Sequence, residues 1–295
     1  MPRPLSRAYT RFVSFGLGRG RALDPAPGVV AVTETELGSL PDSVAINPRA
    51  GWIDPRKWFA EPSRPFEIEI GSGKGTFLIQ QAEHHPETNF LGVEWAREFC
   101  EYAADRIRRR RQGERDEETG RDALEPPPPR ALTNVRMLNT DAAEFLHWRV
   151  PDGVARVIHL YFSDPWPKSR HHRRRVVQDR FLADAARVLT PGGELRIVTD
   201  HAELWAWDCA HFASWAKDPS GLLDAAAVER GRPDVESQRA DHPGPLPHDK
   251  PFTLIPFQQA SGAGDGELVG TNFERKYKRE GRAFWSVVLR RDGSD

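Results

Sequence analysis

The feature that most constrains the fold of this chain is a repeated alternation of strand-like and helix-like segments. All but the last of the strand-like segments are followed by a segment with a helical pattern. The predicted strands are 66–70, 89–94, 134–138, 154–162, 194–199 and 284–289, and the predicted helices are 76–84, 97–109, 142–148, 178–189 and 204–216. Such alternation is typical of a mostly parallel sheet covered by helices on both faces. The sequence therefore predicts an α/β protein with a doubly wound, mostly parallel sheet.

A glycine-rich turn, Gly71-Ser72-Gly73-Lys74-Gly75, follows the first predicted strand. Sheets of this kind bind ligands at the carboxyl ends of their strands, and glycines there let the backbone approach a ligand closely. A P-loop is excluded, because its first glycine would fall at Ile68 and Gly75 replaces its Ser/Thr. The spacing G-x-G-x-G also differs from the dinucleotide motif G-x-G-x-x-G. The turn is consistent with a cofactor that lacks a pyrophosphate, or with a tight turn that binds nothing.

Acidic residues lie at or near the ends of four successive predicted strands: Glu69, Glu94, Asp141 and Asp164. Glu94 stands twenty-three residues after Gly71, where an acid can accept hydrogen bonds from ribose hydroxyls. A glutamate in the first turn of a helix is the simpler alternative at that position. Because like charges repel, four acids at one sheet edge favour a cationic or hydroxyl-rich ligand. S-adenosylmethionine carries a sulfonium, an ammonium and a ribose.

Five permanent cations follow the fourth predicted strand within eight residues: Lys168, Arg170, Arg173, Arg174 and Arg175. The chain as a whole has a formal net charge of −1, so this local concentration indicates phosphate binding rather than a general basic character. The alternative is a solvated helix start, although cations there oppose the helix dipole. His171 and His172 are adjacent and point apart, so no metal site is predicted. A second basic run, 275–279, is equally consistent with a surface face.

Several of these motifs together closely resemble the bacterial tRNA (guanine-N7-)-methyltransferase family. The quoted segments are Glu69 to Gly75, Gly92-Val93-Glu94, Asp164-Pro165-Trp166-Pro167-Lys168 with Arg170 to Arg174, Thr199-Asp200, and Thr271-Asn272-Phe273-Glu274 with Gly281 and Trp285. The resemblance covers about residues 66–109, 131–216 and 268–291. The Asp-Pro-Trp-Pro-Lys run is highly specific, whereas many methyltransferases share the glycine turn.

The resemblance implies a class I methyltransferase fold, a Rossmann-like seven-stranded sheet, and methylation of guanine 46 in the tRNA variable loop by S-adenosylmethionine. Its implied cofactor-binding residues are Glu69, Gly71, Gly73, Glu94, Asp141 and Asp164. Its implied substrate-binding residues are Lys168, Asp200, Thr271, Asn272, Phe273 and Glu274, and its implied RNA-binding residues are Arg170, His171, His172, Arg173, Arg174 and Arg175. Two features depart from the family: Asn272 stands where a basic residue is usual, and residues 112–130 form an acidic, proline-rich insertion.

The reaction that the resemblance implies needs no general base. Guanine N7 already carries a lone pair, so no proton must leave before methyl transfer. The site must align N7 with the methyl group and stabilise the cation formed on the purine. Asp164 is the predicted catalytic residue, because its carboxylate can accept from the guanine amino edge and face that charge. A small-molecule methyltransferase and a catalytically silent RNA-binding protein are the alternatives.

The chain divides into an Arg-rich, flexible extension at 1–50 and a single catalytic domain at 51–295. Residues 112–130 and a Pro/Gly-rich segment at 217–266 are predicted insertions within that domain. A basic arm is favoured at the N-terminus; a mitochondrial presequence fits the composition but its glycines and prolines disfavour a helix. No apolar run approaches the ~20 residues that cross a bilayer. We expect a cytoplasmic monomer or homodimer with tRNA as its partner and no metal.

Overall fold

The computed structural model describes residue 17, residues 22–114 and residues 132–293. Its strands are β1 (Phe66–Ile70), β2 (Asn89–Glu94), β3 (Val135–Asn139), β4 (Ala155–Tyr161), β5 (Leu189–Thr199), β6 (Ala216–Lys217), β7 (Phe252–Ile255) and β8 (Trp285–Arg291). Its α-helices are α1 (Glu34–Leu37), α2 (Thr76–His84), α3 (Arg97–Arg111), α4 (Ala142–Arg149), α5 (Asp179–Val188), α6 (Ala202–Trp215), α7 (Ala225–Asp241) and α8 (Asn272–Arg279).

The strands form one sheet in the order β3-β2-β1-β4-β5-β8-β7-β6. Strands β1 to β5 pair in parallel, and β8 pairs antiparallel with both β5 and β7. The predicted doubly wound, mostly parallel α/β sheet is confirmed. Within the described residues it has eight strands instead of the expected seven, because the two-residue β6 adds a short parallel edge to β7. The strand order reverses between β1 and β4, which is where such sheets bind ligands.

The sheet is buried on both faces, as expected for parallel strands between helices. All five residues of β1 are buried, including two glutamates. Glu67 accepts from the Arg156 guanidinium and hydrogen-bonds to His159 Nε2 at 2.8 Å, and these partners lower its pKa to about 2 against the opposing effect of burial. Glu67 is therefore a structural ion pair on β1, whereas Glu69, two residues later on the same strand, has no such cationic partner.

The segment 217–266 holds an element that its composition does not predict. Helix α7 spans seventeen residues, although it contains Pro233. Asp224 caps it by accepting from the Ala227 N–H at 2.9 Å. A Cβ at Gly231 would lie 2.0 Å from the Ala206 carbonyl oxygen, so glycine is what allows α7 to pack directly on α6. The apolar run 252–257 within this segment supplies β7.

Residues 22–50 differ from the expected flexible extension. Val30 is fully buried, and the chain on either side of it bonds to β3: the Val32 N–H donates to the Met137 carbonyl at 2.8 Å and the Met137 N–H donates to that of Val30 at 3.0 Å. Glu36 on α1 pairs with Arg136 at 2.8 Å. The basic arm at residues 1–16 and 18–21 lies outside the described residues, as do residues 115–131, which include most of the 112–130 insertion, and residues 294–295.

Candidate active site

The turn after β1 has the conformation that its glycines allow. Gly71, Gly73 and Gly75 have φ values of +72°, +51° and +71°, a region that side-chain-bearing residues rarely adopt. Gly75 directly precedes α2, so the turn runs into that helix's N-terminus. A Cβ at Gly71 would meet nothing within 4 Å, and open space therefore lies next to the backbone at the sheet edge.

Glu94, at the end of β2, holds this turn in place. Its Oε2 accepts from the Gly73 N–H at 2.8 Å and its Oε1 accepts from the Ala96 N–H at 2.8 Å. Asn139 Nδ2 donates to the carbonyls of Glu94 and Trp95 at 2.8 and 2.9 Å, which fixes the end of β2 against β3. Glu94 thus has a structural role that the sequence did not reveal, in addition to its predicted contact with the cofactor.

Glu69 is the most perturbed of the predicted cofactor-binding acids. Its side chain is 5% exposed, and its Oε2 has no hydrogen-bond partner among the described residues. Burial, with a further contribution from the charge of Glu94, raises its pKa to about 8. Burial also raises the pKa of Glu94, to which the charge of Asp164 contributes. The three carboxylates are therefore close enough to influence one another at one sheet edge.

Asp141 lies at the same edge, two residues after β3, and caps α4. Its Oδ1 accepts from the Glu144 N–H at 3.0 Å. This is the usual role of an aspartate directly before a helix. Its predicted contact with the cofactor remains a prediction, since the structure shows only the capping contact.

Asp164 lies in a loop whose backbone is held in an unusual conformation. Phe162 and Trp166, on either side of it, have φ values of +53° and +41°. Such conformations cluster at functional sites, where the surroundings enforce them. Arg175 Nε donates to the Pro165 carbonyl at 2.9 Å and ties the loop to the turn that follows. The Asp164 side chain is exposed at the rim, yet partial desolvation by its neighbours raises its pKa.

The basic segment after Asp164 forms a 3₁₀ helix, Ser169–Arg174. It exposes four of the predicted cations: Lys168, Arg170, Arg173 and Arg174. The Arg174 guanidinium lies 4.9 Å from the centre of the Trp166 ring, and the ring of the half-buried His171 meets the same indole edge-on at 5.9 Å. These groups form one exposed basic and aromatic face beside Asp164.

Arg175 and His172 require a correction, because they do not belong to that exposed face. Arg175 is 2% exposed, and its guanidinium lies 5.0 Å from the ring centre of Trp207 on α6. His172 is also buried, with its ring 5.5 Å from that of Trp207 and its Nδ1 3.7 Å from Asp234 on α7. Both side chains anchor the basic turn to the helices below it, so neither is placed to contact RNA.

The predicted substrate motif at 271–274 builds the start of α8. Thr271 Oγ1 accepts from the Glu274 N–H at 3.1 Å. The buried Glu274 carboxylate accepts from the N–H groups of Leu268, Val269 and Gly270. Both side chains therefore shape the backbone. Asn272 is half-buried within this turn.

Phe273 is the exposed member of that motif, at 51%. Its Cε2 would lie 3.9 Å from a Cβ placed on Gly73. The C-terminal motif therefore reaches across the sheet edge to the glycine turn, and Phe273 is positioned to contact a ligand there.

Sequence reasoning missed four residues of this region. Tyr277 and Phe162 pack edge-on with ring centres 6.2 Å apart, and Arg282 pairs with Asp200 at 2.6 Å. Trp95 is 73% exposed directly after Glu94. The spacing of Phe273 and Tyr277, four residues apart on one helix face, was a signal in the sequence for part of this surface.

The chemistry available here is electrostatic and does not involve a thiol. Cys100 and Cys209 are buried, and burial raises the pKa of the Cys100 thiol to about 12 and that of the Cys209 thiol further. Within residues 22–114 and 132–293, no three His, Cys, Asp or Glu side chains are grouped as a metal site. None of the helices in those ranges has the length and apolar content that a bilayer crossing requires.

The donor set fits S-adenosylmethionine. A buried carboxylate oxygen without a partner suits an ammonium, the acid after β2 suits ribose hydroxyls, and the open space at Gly71 admits a ligand against the backbone. Glu69, Glu94 and the turn 71–75 are the residues that would hold it. A doubly wound sheet carrying this site at its switch point defines a class I S-adenosylmethionine-dependent methyltransferase.

Comparison with known proteins identifies the family. A family model described as putative methyltransferase matches residues 63–218. The tRNA (guanine-N(7)-)-methyltransferase of Alkalilimnicola ehrlichii is 31% identical over 227 residues, 77% of this chain and 73% of the relative. That of Nitrobacter hamburgensis is 37% identical over 200 residues, 68% of each chain. The chain belongs to the tRNA (guanine-N7-)-methyltransferase family.

Proposed function

We propose that this protein transfers a methyl group to N7 of guanine 46 in the variable loop of tRNA. One observation carries the proposal: a single loop, 162–175, joins the acidic cofactor edge to the exposed basic face. Asp164 stands at one end of that loop beside Glu94, and Lys168, Arg170, Arg173 and Arg174 stand on its outer side. A nucleobase on an RNA held by those cations is thereby brought to the cofactor edge.

The cofactor, when bound, supplies a methyl group on a positively charged sulfur. Glu69 and Glu94 bind its ammonium and ribose groups, and Gly71 and Gly73 let it lie against the turn. Binding a cation would offset the desolvation of the buried Glu69 carboxyl, whose Oε2 has no hydrogen-bond partner among the described residues.

Catalysis requires positioning and charge stabilisation. N7 of guanine would attack the methyl carbon through its own lone pair. As the N7–carbon bond forms, the carbon–sulfur bond breaks and its electron pair goes to the sulfur, so the neutral thioether S-adenosylhomocysteine leaves and the purine becomes cationic. Pro165 directly follows Asp164, and the hydrogen bond from Arg175 Nε to the Pro165 carbonyl fixes that proline. The Asp164 carboxylate is therefore preorganised to face the developing charge. Although the pKa of Asp164 is raised, its carboxyl group ionises as pH rises, and the ionised form is the one that faces the developing charge. No side chain has to abstract a proton from N7.

The exposed cations bind RNA through phosphates. Arg170, Arg173, Arg174 and Lys168 face solvent, while the buried Arg175 and His172 hold their turn rigid. Trp166 adds an aromatic surface among them, already stacked with Arg174. Basic groups mixed with aromatic rings are typical of surfaces that bind unpaired nucleotides.

Two alternatives are less well supported. A small-molecule methyltransferase would share the acidic edge but would have no use for four exposed cations beside it. A silent RNA-binding protein would have no use for a buried Glu69 whose Oε2 lacks a hydrogen-bond partner among the described residues. We further propose that the enzyme acts in the cytoplasm, where tRNA is modified, as a monomer or homodimer without a metal.

The position is tested with two unmodified transcripts of one tRNA, carrying guanine or adenine at position 46. The proposal predicts one methyl group per guanine-46 transcript, mapped to that nucleotide by cleavage at 7-methylguanosine. It predicts none on the adenine-46 transcript. Equal methylation of both transcripts would refute position 46 while leaving the reaction type intact.

A further inference from the structure

The ion pair between Arg282 and Asp200 has an unusual setting. Arg282 Nη1 lies 2.6 Å from Asp200 Oδ2, and Nη2 lies 2.7 Å from Glu280 Oε2. The flat face of the same guanidinium lies 4.0 Å from the centre of the Tyr277 ring. The Asp200 side chain, directly after the end of β5, is 12% exposed, and Arg282 is its ion-pair partner.

An aromatic wall continues from this ion pair toward the cofactor edge. Tyr277 contacts Phe162 and Phe273, with ring centres 6.2 and 6.1 Å away, and Phe273 borders the glycine turn at Gly73. Burial raises the pKa of Tyr277, and the charges of Asp200 and Asp164 add to this effect, whereas that of Arg282 opposes it. The wall thus connects the cofactor edge, the loop of Asp164 and the Asp200 carboxylate.

A guanidinium in this position has the recognition features of a guanine. It is planar, it stacks on the Tyr277 ring, and its two Nη groups donate to two carboxylates, Nη1 to Asp200 and Nη2 to Glu280. Guanine offers the same combination, since its N1–H and N2 amino group form a donor edge and its face stacks on aromatic side chains. An adenine has no such donor edge, so the arrangement favours guanine among the purines.

We propose that Tyr277 and Asp200 form the pocket for the target guanine, and that Arg282 occupies this pocket as an internal mimic until RNA displaces it. The inference rests on the proposed function and deepens it. It divides the work between two carboxylates: Asp200 binds the N–H edge of the base, which leaves Asp164 to face the charge that develops at N7. Arg282 keeps the Asp200 carboxylate paired when no RNA is bound. Because it occupies the same place, it also competes with the target guanine.

The test compares affinities for two tRNAs that differ only at the target nucleotide, one with guanine and one abasic, in the presence of S-adenosylhomocysteine. The dissociation constant of the abasic tRNA divided by that of the guanine tRNA measures the contribution of the base, because the phosphate contacts are the same in both and cancel. Tyr277→Leu is expected to lower this ratio by roughly 5- to 150-fold, which is the range for one lost base–aromatic stack. The decrease cannot exceed the wild-type ratio itself. Tyr277→Phe keeps the ring and should restore it.

Arg282→Ala removes the mimic and is expected to raise the ratio roughly 2- to 5-fold, which corresponds to the loss of one exposed cation–π contact. Arg279→Ala is the matched control, because Arg279 is an exposed arginine near the end of α8 that contacts only the Arg275 carbonyl among the described residues. It should leave the ratio unchanged. Thermal melts of each variant separate loss of fold from loss of the pocket.

A ratio that is unaffected by Tyr277→Leu, or one that is unchanged or lowered by Arg282→Ala, would overturn the inference. Wild-type methylation of the guanine tRNA is measured in parallel by nucleoside analysis. If no 7-methylguanosine forms, the proposed function itself has failed. If it forms while the ratios do not respond, only the pocket assignment has failed.

Discussion

Glu69 makes cofactor binding depend on a proton. Its pKa is about 8 in the free protein, so at pH 7 roughly 0.9 of the molecules carry a proton on this buried carboxyl. A cationic ligand requires the charged form and lowers that pKa, so binding must release the proton. The expected release is roughly 0.9 proton at pH 7, and the cofactor's affinity should increase about tenfold between pH 6 and pH 7.

Titration calorimetry with S-adenosylhomocysteine measures this directly. The proton release at pH 7 is the slope of the observed heat against the ionisation heats of phosphate, HEPES and Tris buffers. Glu69→Gln keeps the shape and removes the titration, so it should abolish the release and flatten the affinity over this pH range. Glu98→Gln, at an exposed position on α3, is the matched control. A release that persists in Glu69→Gln would refute the assignment of Glu69.

The site also predicts how variants at Glu94, at the basic face, at Arg175 and at Asp164 should behave. Glu94→Ala should weaken S-adenosylhomocysteine binding by about 1.5–3 kcal/mol in the same titration, since hydrogen bonds to a charged group are lost; unchanged affinity would contradict it. Removing Arg173 and Arg174 should flatten the salt dependence of tRNA binding by roughly 0.7–0.9 log units per lost phosphate contact. Arg175→Ala should instead lower the melting temperature, because Arg175 is buried. A filter-binding salt series detects the loss of phosphate contacts in the first variant, and thermal melts detect the loss of stability in the second. Asp164→Asn should lower the single-turnover methylation rate about 10²–10³-fold with little change in tRNA affinity. With cofactor and tRNA saturating, the wild-type rate should show no base-type rise toward pH 9, and such a rise would indicate proton abstraction.

The sheet was predictable from the sequence because its strands are short apolar runs bounded by turns. Segments 66–70 and 89–94 match β1 and β2 residue for residue. The boundary after α5 was less clear: Pro191-Gly192-Gly193 reads as a turn, but it lies inside β5, where the pairing with β4 is irregular. Local composition does not reveal such an irregularity, because the neighbouring strand determines it.

Helix α7 and the buried basic residues could not be predicted from local patterns. The composition of 217–266 favours loops, and α7 forms because Gly231 allows close packing on α6. Arg173, Arg174 and Arg175 look equivalent in sequence, yet the 3₁₀ turn directs the last of them toward Trp207, thirty-two residues later in the chain. The carboxylates and the glycine turn could be predicted because they lie in the sequence at or directly after the ends of the predicted strands.

Methylation of guanine N7 in tRNA is tested most directly by incubating the purified protein with methyl-labelled S-adenosylmethionine and undermodified total tRNA, followed by digestion and nucleoside chromatography. The label should elute with 7-methylguanosine and should be lost in Asp164→Asn at matched times. Label in any other nucleoside would contradict this assignment. So would the absence of label from tRNA when the wild-type protein is folded and binds the cofactor.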